Sequence, residues 1–333
     1  MEAPLPECID SEEKQRKLAE DLAMHHYNKR AISSELVPLQ GTASVTLEVT
    51  MEGVTAVIIQ FRTEPFDTKP YAMARQLLGD AVPSIEDIQD DKLSTENVFC
   101  VFMAKMPGRP WMEIEDCWKE DGFLRCATSL GQLLSCCFVP KDTGAIETYI
   151  IPKLKKILTM RTRSEVDVTG YFPLVEKLIT ASSRLRDLPG FFSHQDLNTL
   201  NIFTDETGKA IHFLTGEFVT VDDRDIRFAE RPVYESMERA FWKTLLESAP
   251  QEVSKDLQGK KELVQLAVVI GTVLRVLGIY EVDGAETSEL HIPSLNALPK
   301  LLRYRIPFVR GPEDTPFGDE NGQVELKATL ASI

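Results

Sequence analysis

Alternation of apolar and polar positions dominates the first hundred residues of the chain. Two alternating runs, Thr42 to Thr50 and Val54 to Phe61, predict antiparallel strands, and Gly53 between them can close a turn with positive φ. Every side chain from Val98 to Ala104 is apolar, which predicts a third, buried strand. Helical spacing adds two helices to this region, one beginning at Asp10 as N-cap and one over Lys69 to Leu78.

Beyond residue 112 the apolar positions recur at helical spacing, with one β-rich island among the helices. The predicted helical stretches are Met112 to Cys137, Thr143 to Met160, Thr169 to Arg186, Pro232 to Glu247 and Glu262 to Leu277. The island runs from Phe191 to Phe203 and from Lys209 to Val221, with a turn between its halves. We therefore expect an α+β fold with a small β-rich N-lobe and a larger, mostly helical C-lobe.

These patterns give three predicted segments. Residues 1–104 form the N-lobe, with an N-terminal helix, an antiparallel sheet and a short helix, and residues 105–303 form the helical C-lobe with its hairpin. Residues 304–333 are rich in Pro, Gly and acidic residues and form a tail. Ligand sites commonly form in the cleft between two lobes, so we expect the site there.

Charge narrows the range of partners. The 333 residues include 37 Lys and Arg against 52 Asp and Glu, a net charge of −15, which disfavours a nucleic-acid partner. The chain has no apolar run of the roughly 18–20 residues that a membrane span needs. Its first residues are acidic where a secretory signal would be basic and then apolar. We expect a cytoplasmic protein whose partner is a small molecule; no pattern predicts the oligomeric state.

The pattern HxDxxxxN, which begins at His194, is the clearest chemical motif in the chain. An aspartate that accepts a hydroxyl proton, followed five residues later by an asparagine that binds a metal, is the catalytic loop of phosphoryl transfer. Asp196 would then be the base and Asn201 a Mg²⁺ ligand. The structural alternative is that Asp196 and Asn198 cap backbone turns and that His194 donates a hydrogen bond to a carbonyl.

With this motif the chain resembles the aminoglycoside phosphotransferase and choline kinase-like family, whose fold is the protein-kinase fold. The resemblance covers residues 30–280 and also includes Val98 to Trp111, similar to the hinge strand, Ala81 to Pro83 and the hairpin Asp205 to Phe218. It implies a bilobal kinase-like fold, ATP and Mg²⁺ as cofactors, and transfer to a hydroxyl of a small molecule.

The chain departs from the family pattern at its charged positions. Thr215 stands where the family has its metal-binding aspartate, and Glu217 matches the acidic residue that follows. Gln60 replaces the basic strand residue that holds the phosphates, and Arg62 lies two residues later on the same face. The helix predicted over Lys69 to Leu78 contains no acidic residue that could orient such a cation.

Because of these departures, our favoured hypothesis is a kinase fold repurposed for small-molecule biosynthesis without a required cofactor. Asp196 would act as a general base in cyclisation, elimination or isomerisation, with His194 orienting it. Asn198, His212 and Glu217 would contact the substrate.

Two alternatives stay open. In the first, the chain is an ATP- and Mg²⁺-dependent phosphotransferase, and Asn201 and Glu217 bind the metal. The nucleotide would then contact four residues, namely Gln60, Arg62, Met103 and Lys105. In the second, the chain is a pseudokinase-like binding protein without catalytic activity.

Overall fold

The computed structural model describes residues 5–38, 40, 44–53, 56–141, 144–159, 168–192, 197, 199–213, 232–278 and 292–310. These residues fall into two compact units. The first unit contains those up to Gly108 together with His212 and Phe213, and the second contains the remaining ones from Arg109 onward.

The first unit is built on a five-stranded antiparallel sheet with the strand order β1-β2-β3-β5-β4. Its strands are β1 (Ala31–Leu36), β2 (Ser44–Met51), β3 (Val57–Arg62), β4 (Ile85–Ile88) and β5 (Phe99–Ala104). Its helices are α1 (Glu12–Tyr27), α2 (Lys69–Leu78) and α3 (Asp91–Thr95).

One face of this sheet forms the core of the first unit. Alternate residues of β2, β3 and β5 are fully buried on that face, where they pack with α1 through Ala19, Leu22 and Ala23. The opposite face carries the intervening residues of β2 and β3, such as Thr46 and Gln60, which are only half-buried, and Val101 of β5, which is fully buried opposite Gln60. The period of two in a strand thus gives the sheet one apolar face and one face with polar side chains.

The second unit is mostly helical. Its helices are α4 (Trp111–Ile114), α5 (Glu120–Leu134), α6 (Ile151–Ile157), α7 (Phe172–Ser182), α8 (Pro232–Ser248), α9 (Gln251–Gly259), α10 (Lys261–Gly278) and α11 (Ile292–Leu301). Its short strands are β6 (Arg109–Pro110), β7 (Phe138–Val139), β8 (Gly190–Phe191), β9 (Ile202–Thr204) and β10 (Ala210–Phe213). The main core lies among α6, α7, α10 and α11, where Leu178, Val273 and Leu298 are fully buried.

Several predicted elements have different bounds in the structure. Asp10 does not cap the first helix, because a 3₁₀ turn over Glu7–Ile9 precedes it and Ser11 takes the N-cap position. The predicted strands over Thr42 to Thr50 and Val54 to Phe61 correspond to β2 and β3, and Gly53 has the expected positive φ of 63°.

The stretch from Met112 to Cys137 is not one helix. Trp118 leaves helical geometry with a φ of −86° and a ψ of 144°, and its ring packs against those of Trp111 and Phe123. The extended backbone of Trp118 and Lys119 therefore separates α4 from α5. The sequence does not predict several further elements, namely β1, α3, β4, β6, β7, α9 and α11.

The α+β class, with a small β-rich unit and a larger helical unit, is confirmed. The predicted boundary after residue 104 and the observed one after Gly108 both follow β5. Residues 304–310 of the predicted tail pack into the second unit, where Ile306 is fully buried. None of the helices in the described residues is long and apolar enough to cross a membrane.

Candidate functional site

The loop that carries the HxDxxxxN motif is fixed at its beginning by a small sheet. β8 pairs antiparallel with β7, with Phe191 opposite Phe138 and their rings 5.0 Å apart. The backbone N–H of Phe192 also donates to the carbonyl of Cys137 at 2.8 Å. The chain therefore enters the loop from a defined position at the end of α5.

A second small sheet fixes the end of the same loop. The carbonyl of Thr199 accepts a hydrogen bond from the backbone N–H of Met112 at 3.0 Å. β9 then pairs with β6, with Arg109 opposite Thr204. Backbone pairing thus holds both ends of the motif, which leaves the intervening residues as the candidate for function.

The structure places some of the site residues that are predicted beyond residue 190 and not others. Asn201 is half-buried in the turn directly before β9. His212 belongs to β10, although its side chain is not among those that the structure describes. The remaining predicted residues lie outside the described ones, namely His194, Asp196, Asn198, Thr215 and Glu217.

The turn between β9 and β10 is built around Asp205. Its carboxylate accepts hydrogen bonds from the backbone N–H of Thr207 at 2.9 Å, from that of Lys209 at 3.0 Å, and from the Thr207 hydroxyl. Partial burial would raise the pKa of Asp205, but these hydrogen bonds outweigh it and lower the pKa. The charged carboxylate therefore fixes the geometry of the hairpin.

In the first unit, Gln60 lies on the half-buried face of the sheet. Its side-chain Nε2 donates to the Ser44 hydroxyl at 3.0 Å and to the Thr46 hydroxyl at 3.2 Å, both on β2. Gln60 is thus a neutral group already engaged by its neighbours, and it cannot offset the charge of a phosphate as a lysine would.

Arg62 lies on the same face, two residues further along β3 and opposite Phe99 of β5. Its guanidinium carbon is 5.4 Å from the centre of the Phe66 ring. The Nε atom is buried and has no hydrogen-bond partner among the described residues. A buried donor left unpaired costs about 1–3 kcal/mol, so a bound anion would relieve this cost.

Met103 and Lys105 complete the set predicted for the first unit. Met103 lies opposite Ile58, on the same sheet face as Gln60 and Arg62. The Lys105 ammonium pairs with the Glu48 carboxylate at 2.5 Å, and Glu48 also lies opposite Ile58. The sheet register therefore brings all four predicted nucleotide contacts to one face.

Helix α2, over Lys69–Leu78, contains no acidic residue. Sequence reasoning missed Phe66, whose ring lies under the Arg62 guanidinium and 4.7 Å from the ring of Tyr71. It also missed the hydroxyls of Ser44 and Thr46. Ser44 and Thr46 alternate along one strand, which indicates that they share a face. Only the pairing of β2 with β3 shows that this face is the one with Gln60.

No family model and no curated protein matches the chain. Among solved structures, a protein from Thermobifida fusca named as a fructosamine-3-kinase matches with 15% identity and a TM-score of 0.49, over 84% of this chain and 98% of its own. Choline kinase LicA from Streptococcus pneumoniae matches with 13% identity and a TM-score of 0.48, over 86% and 98%. Macrolide 2'-phosphotransferase MphH from Brachybacterium faecium matches with 13% identity and a TM-score of 0.46, over 82% and 99%.

These proteins are phosphotransferases and kinases, the class that the sequence resembles. All three TM-scores are below 0.5 and no identity exceeds 15%, so the activity of this chain does not follow from the similarity.

Proposed function

We propose that the chain is an ATP- and Mg²⁺-dependent phosphotransferase that acts on a hydroxyl group of a small molecule. The observation that carries the proposal is the buried, unpartnered Nε of Arg62 on the half-buried face of the sheet. A cation that lacks an acidic partner among the described residues is suited to an anionic ligand. A guanidinium can form bidentate hydrogen bonds to phosphate oxygens.

On this proposal Arg62 takes over the phosphate contact that Gln60 cannot make. Met103 and Lys105, at the end of β5, contact the adenine portion of the nucleotide. When bound, ATP supplies the phosphoryl group and Mg²⁺ offsets the charge of its phosphates.

The second unit supplies the base and the metal ligands. Asp196 accepts the proton of the substrate hydroxyl, and His194 orients that carboxylate. Asn201 offers its side-chain oxygen to the metal, together with Glu217, because Mg²⁺ prefers oxygen ligands. Asn198 and His212 contact the substrate.

Calorimetric titration of the full chain with ATP in the presence of Mg²⁺ tests the proposal. Arg62→Met keeps the aliphatic stem and removes the charge, so affinity should fall by about tenfold or more. The control is Arg16→Met, which removes an equal charge from an exposed arginine that pairs with Glu12 on α1. Equal affinities for Arg62→Met and wild type would contradict the proposal.

Acid–base chemistry without a nucleotide is the second candidate function, and the state of Gln60 favours it. The amide of Gln60 carries no charge, and its Nε2 already donates to the hydroxyls of Ser44 and Thr46. It is therefore poorly suited to bind a phosphate. A chain of this kind would turn over its substrate without ATP, and Asp196→Asn would abolish that turnover. A comparison of metabolites that accumulate with and without the protein distinguishes the two reactions.

A further inference from the structure

The loop between β3 and α2 places an aromatic ring against Arg62. Arg62 is the last residue of β3, and Phe66 lies four residues later in the loop, where it is half-buried. The guanidinium carbon of Arg62 lies over the Phe66 ring, 5.4 Å from its centre. At this distance a cation is attracted to the face of an aromatic ring. The ring is therefore a direct neighbour of the cation on which the proposed function depends.

The Phe66 ring is itself held by helix α2. Its centre is 4.7 Å from that of the Tyr71 ring, in the first turn of the helix, and aromatic pairs at this separation attract each other. Ala74 follows Tyr71 by three residues on the same side of α2 and is fully buried, so this side of the helix packs into the first unit. Phe66 thus connects the end of β3 to α2 through side chains.

Backbone pairing alone does not fix the Arg62 guanidinium. Ser44 on β2 and Phe99 on β5 lie opposite Arg62 and determine where its Cα lies. Beyond the Cα, the side chain has several rotatable bonds, and ordering them when a ligand binds costs conformational entropy. A contact that orders the guanidinium before the ligand arrives therefore raises the affinity for that ligand.

An aromatic ring can order a guanidinium without neutralising its charge. Arg75 on α2 shows the alternative, because it donates to the carboxylate of Asp80 at 2.9 Å, and an anionic ligand would have to displace that carboxylate. The two acidic residues of the β3–α2 loop, Glu64 and Asp67, are exposed, and neither accepts a hydrogen bond from the Arg62 Nε. The ring therefore leaves this donor available to an anion.

We infer that Phe66 is a positioning residue for the phosphate contact of Arg62. The ring covers one face of the guanidinium, so phosphate oxygens meet its edge, which includes the unpartnered Nε. The inference rests on the proposed function, in which Arg62 binds the phosphates of ATP. Phe66 acts through Arg62 and makes no contact with the nucleotide itself.

A double-mutant cycle in the full chain tests the inference, with the affinity for ATP in the presence of Mg²⁺ measured by calorimetry. Phe66→Leu keeps an apolar side chain and removes the aromatic face, so the affinity should fall about threefold. Phe66→Tyr keeps the ring and should bind within about twofold of the wild type. In the Arg62→Met background, Phe66→Leu should cause no further loss, because the cation that the ring positions is already absent.

The matched control is Phe123→Leu, which truncates another half-buried phenylalanine, whose ring packs 5.3 Å from that of Trp118. This control should leave the affinity for ATP unchanged. Urea unfolding shows whether each variant is folded. If Phe66→Leu is not, Phe66→Met provides a second variant without a ring and should show the same loss.

Three results would overturn the inference and leave the proposed function standing. The first is equal affinity for ATP in Phe66→Leu and the wild type. The second is an equal loss from Phe66→Leu with and without the Arg62 side chain, which would mean that Phe66 contacts the nucleotide directly. The third is a loss in Phe66→Tyr as large as that in Phe66→Leu. Absence of Mg²⁺-dependent ATP binding in the wild-type chain would overturn both the inference and the proposed function.

Discussion

The two faces of the five-stranded sheet are built by the same strands, but along β2 and β3 they differ in burial. On the face that packs with α1, Leu47, Ile59 and Phe61 are at most 1% exposed. On the other face, Thr46, Gln60 and Arg62 are half-buried and polar. Because side chains alternate between the faces, the residues on the first face stabilise the core. Those on the second face remain available to contact a ligand.

The difference is sharpest at Ile58 and Ile59, two identical side chains on opposite faces. Ile59 is fully buried and Ile58 is half-buried. Truncating Ile59 to alanine should lower the free energy of unfolding by about 2–5 kcal/mol, because it leaves a cavity in the core. Ile58→Ala should cost about 1 kcal/mol.

Urea unfolding of the two variants measures both values. Similar losses for Ile58→Ala and Ile59→Ala would show that the two faces do not divide stability as we describe.

Gln60→Lys should change binding more than stability. It places a cation at the family's phosphate-binding position, so affinity for ATP with Mg²⁺ should rise by about tenfold. It also removes the hydrogen bonds to Ser44 and Thr46, which should cost about 1 kcal/mol of unfolding free energy.

The control for this substitution is Gln60→Met, which removes the same hydrogen bonds without adding charge. Calorimetry measures affinity and urea unfolding measures stability. Equal ATP affinity in both variants would mean that this face does not receive phosphates.

Local signals account for what the sequence predicts well. The structure gives α2 the predicted bounds, Lys69–Leu78, because Pro70 stands in its first turn and Gly79 ends it with a φ of 58°. β1 and β4 escape prediction because half of the residues in their sequences, AISSEL and IEDI, are polar and adjacent polar residues break the alternation. β1 is a strand because it pairs with β2, and β4 because it pairs with β5. The local sequence does not predict such pairing.

The same division applies to the candidate site. A period of two predicts that Gln60 and Arg62 share a face, and the register confirms it. The hydroxyls that engage Gln60 and the ring under Arg62 come from other segments, whose position depends on tertiary structure. The roles of His194 and Asp196 remain predictions, because these residues lie outside the described ones.

A smaller effect is expected at Ser34, the polar side chain that joins β1 to α1 on the apolar side. It is 5% exposed, and its hydroxyl donates to the carboxylate of Glu20. Ser34→Ala should lower the free energy of unfolding by about 1 kcal/mol, because the carboxylate loses a donor. Ser33→Ala, at the exposed neighbouring position, should change it by less than about 0.5 kcal/mol. Thermal unfolding measures both variants. Equal losses for Ser34→Ala and Ser33→Ala would mean that the hydrogen bond from Ser34 to Glu20 does not stabilise the fold.

The smallest expected effect is on the alkylation rates of the cysteine thiols. These rates report the burial of each cysteine in the wild-type protein. Burial raises the pKa of Cys100, on the apolar face, and burial together with Glu96 raises that of Cys8 to about 11. Because the folded state favours the protonated thiol, this contribution to stability is present at neutral pH and is lost as pH rises above the ordinary thiol pKa. At pH 9, iodoacetamide should therefore alkylate the exposed Cys117 and Cys136 first, Cys8 slowly and Cys100 only after unfolding. Mass spectrometry of the peptides gives the order, and rapid labelling of Cys100 in the folded protein would show that this face of the sheet is open to solvent.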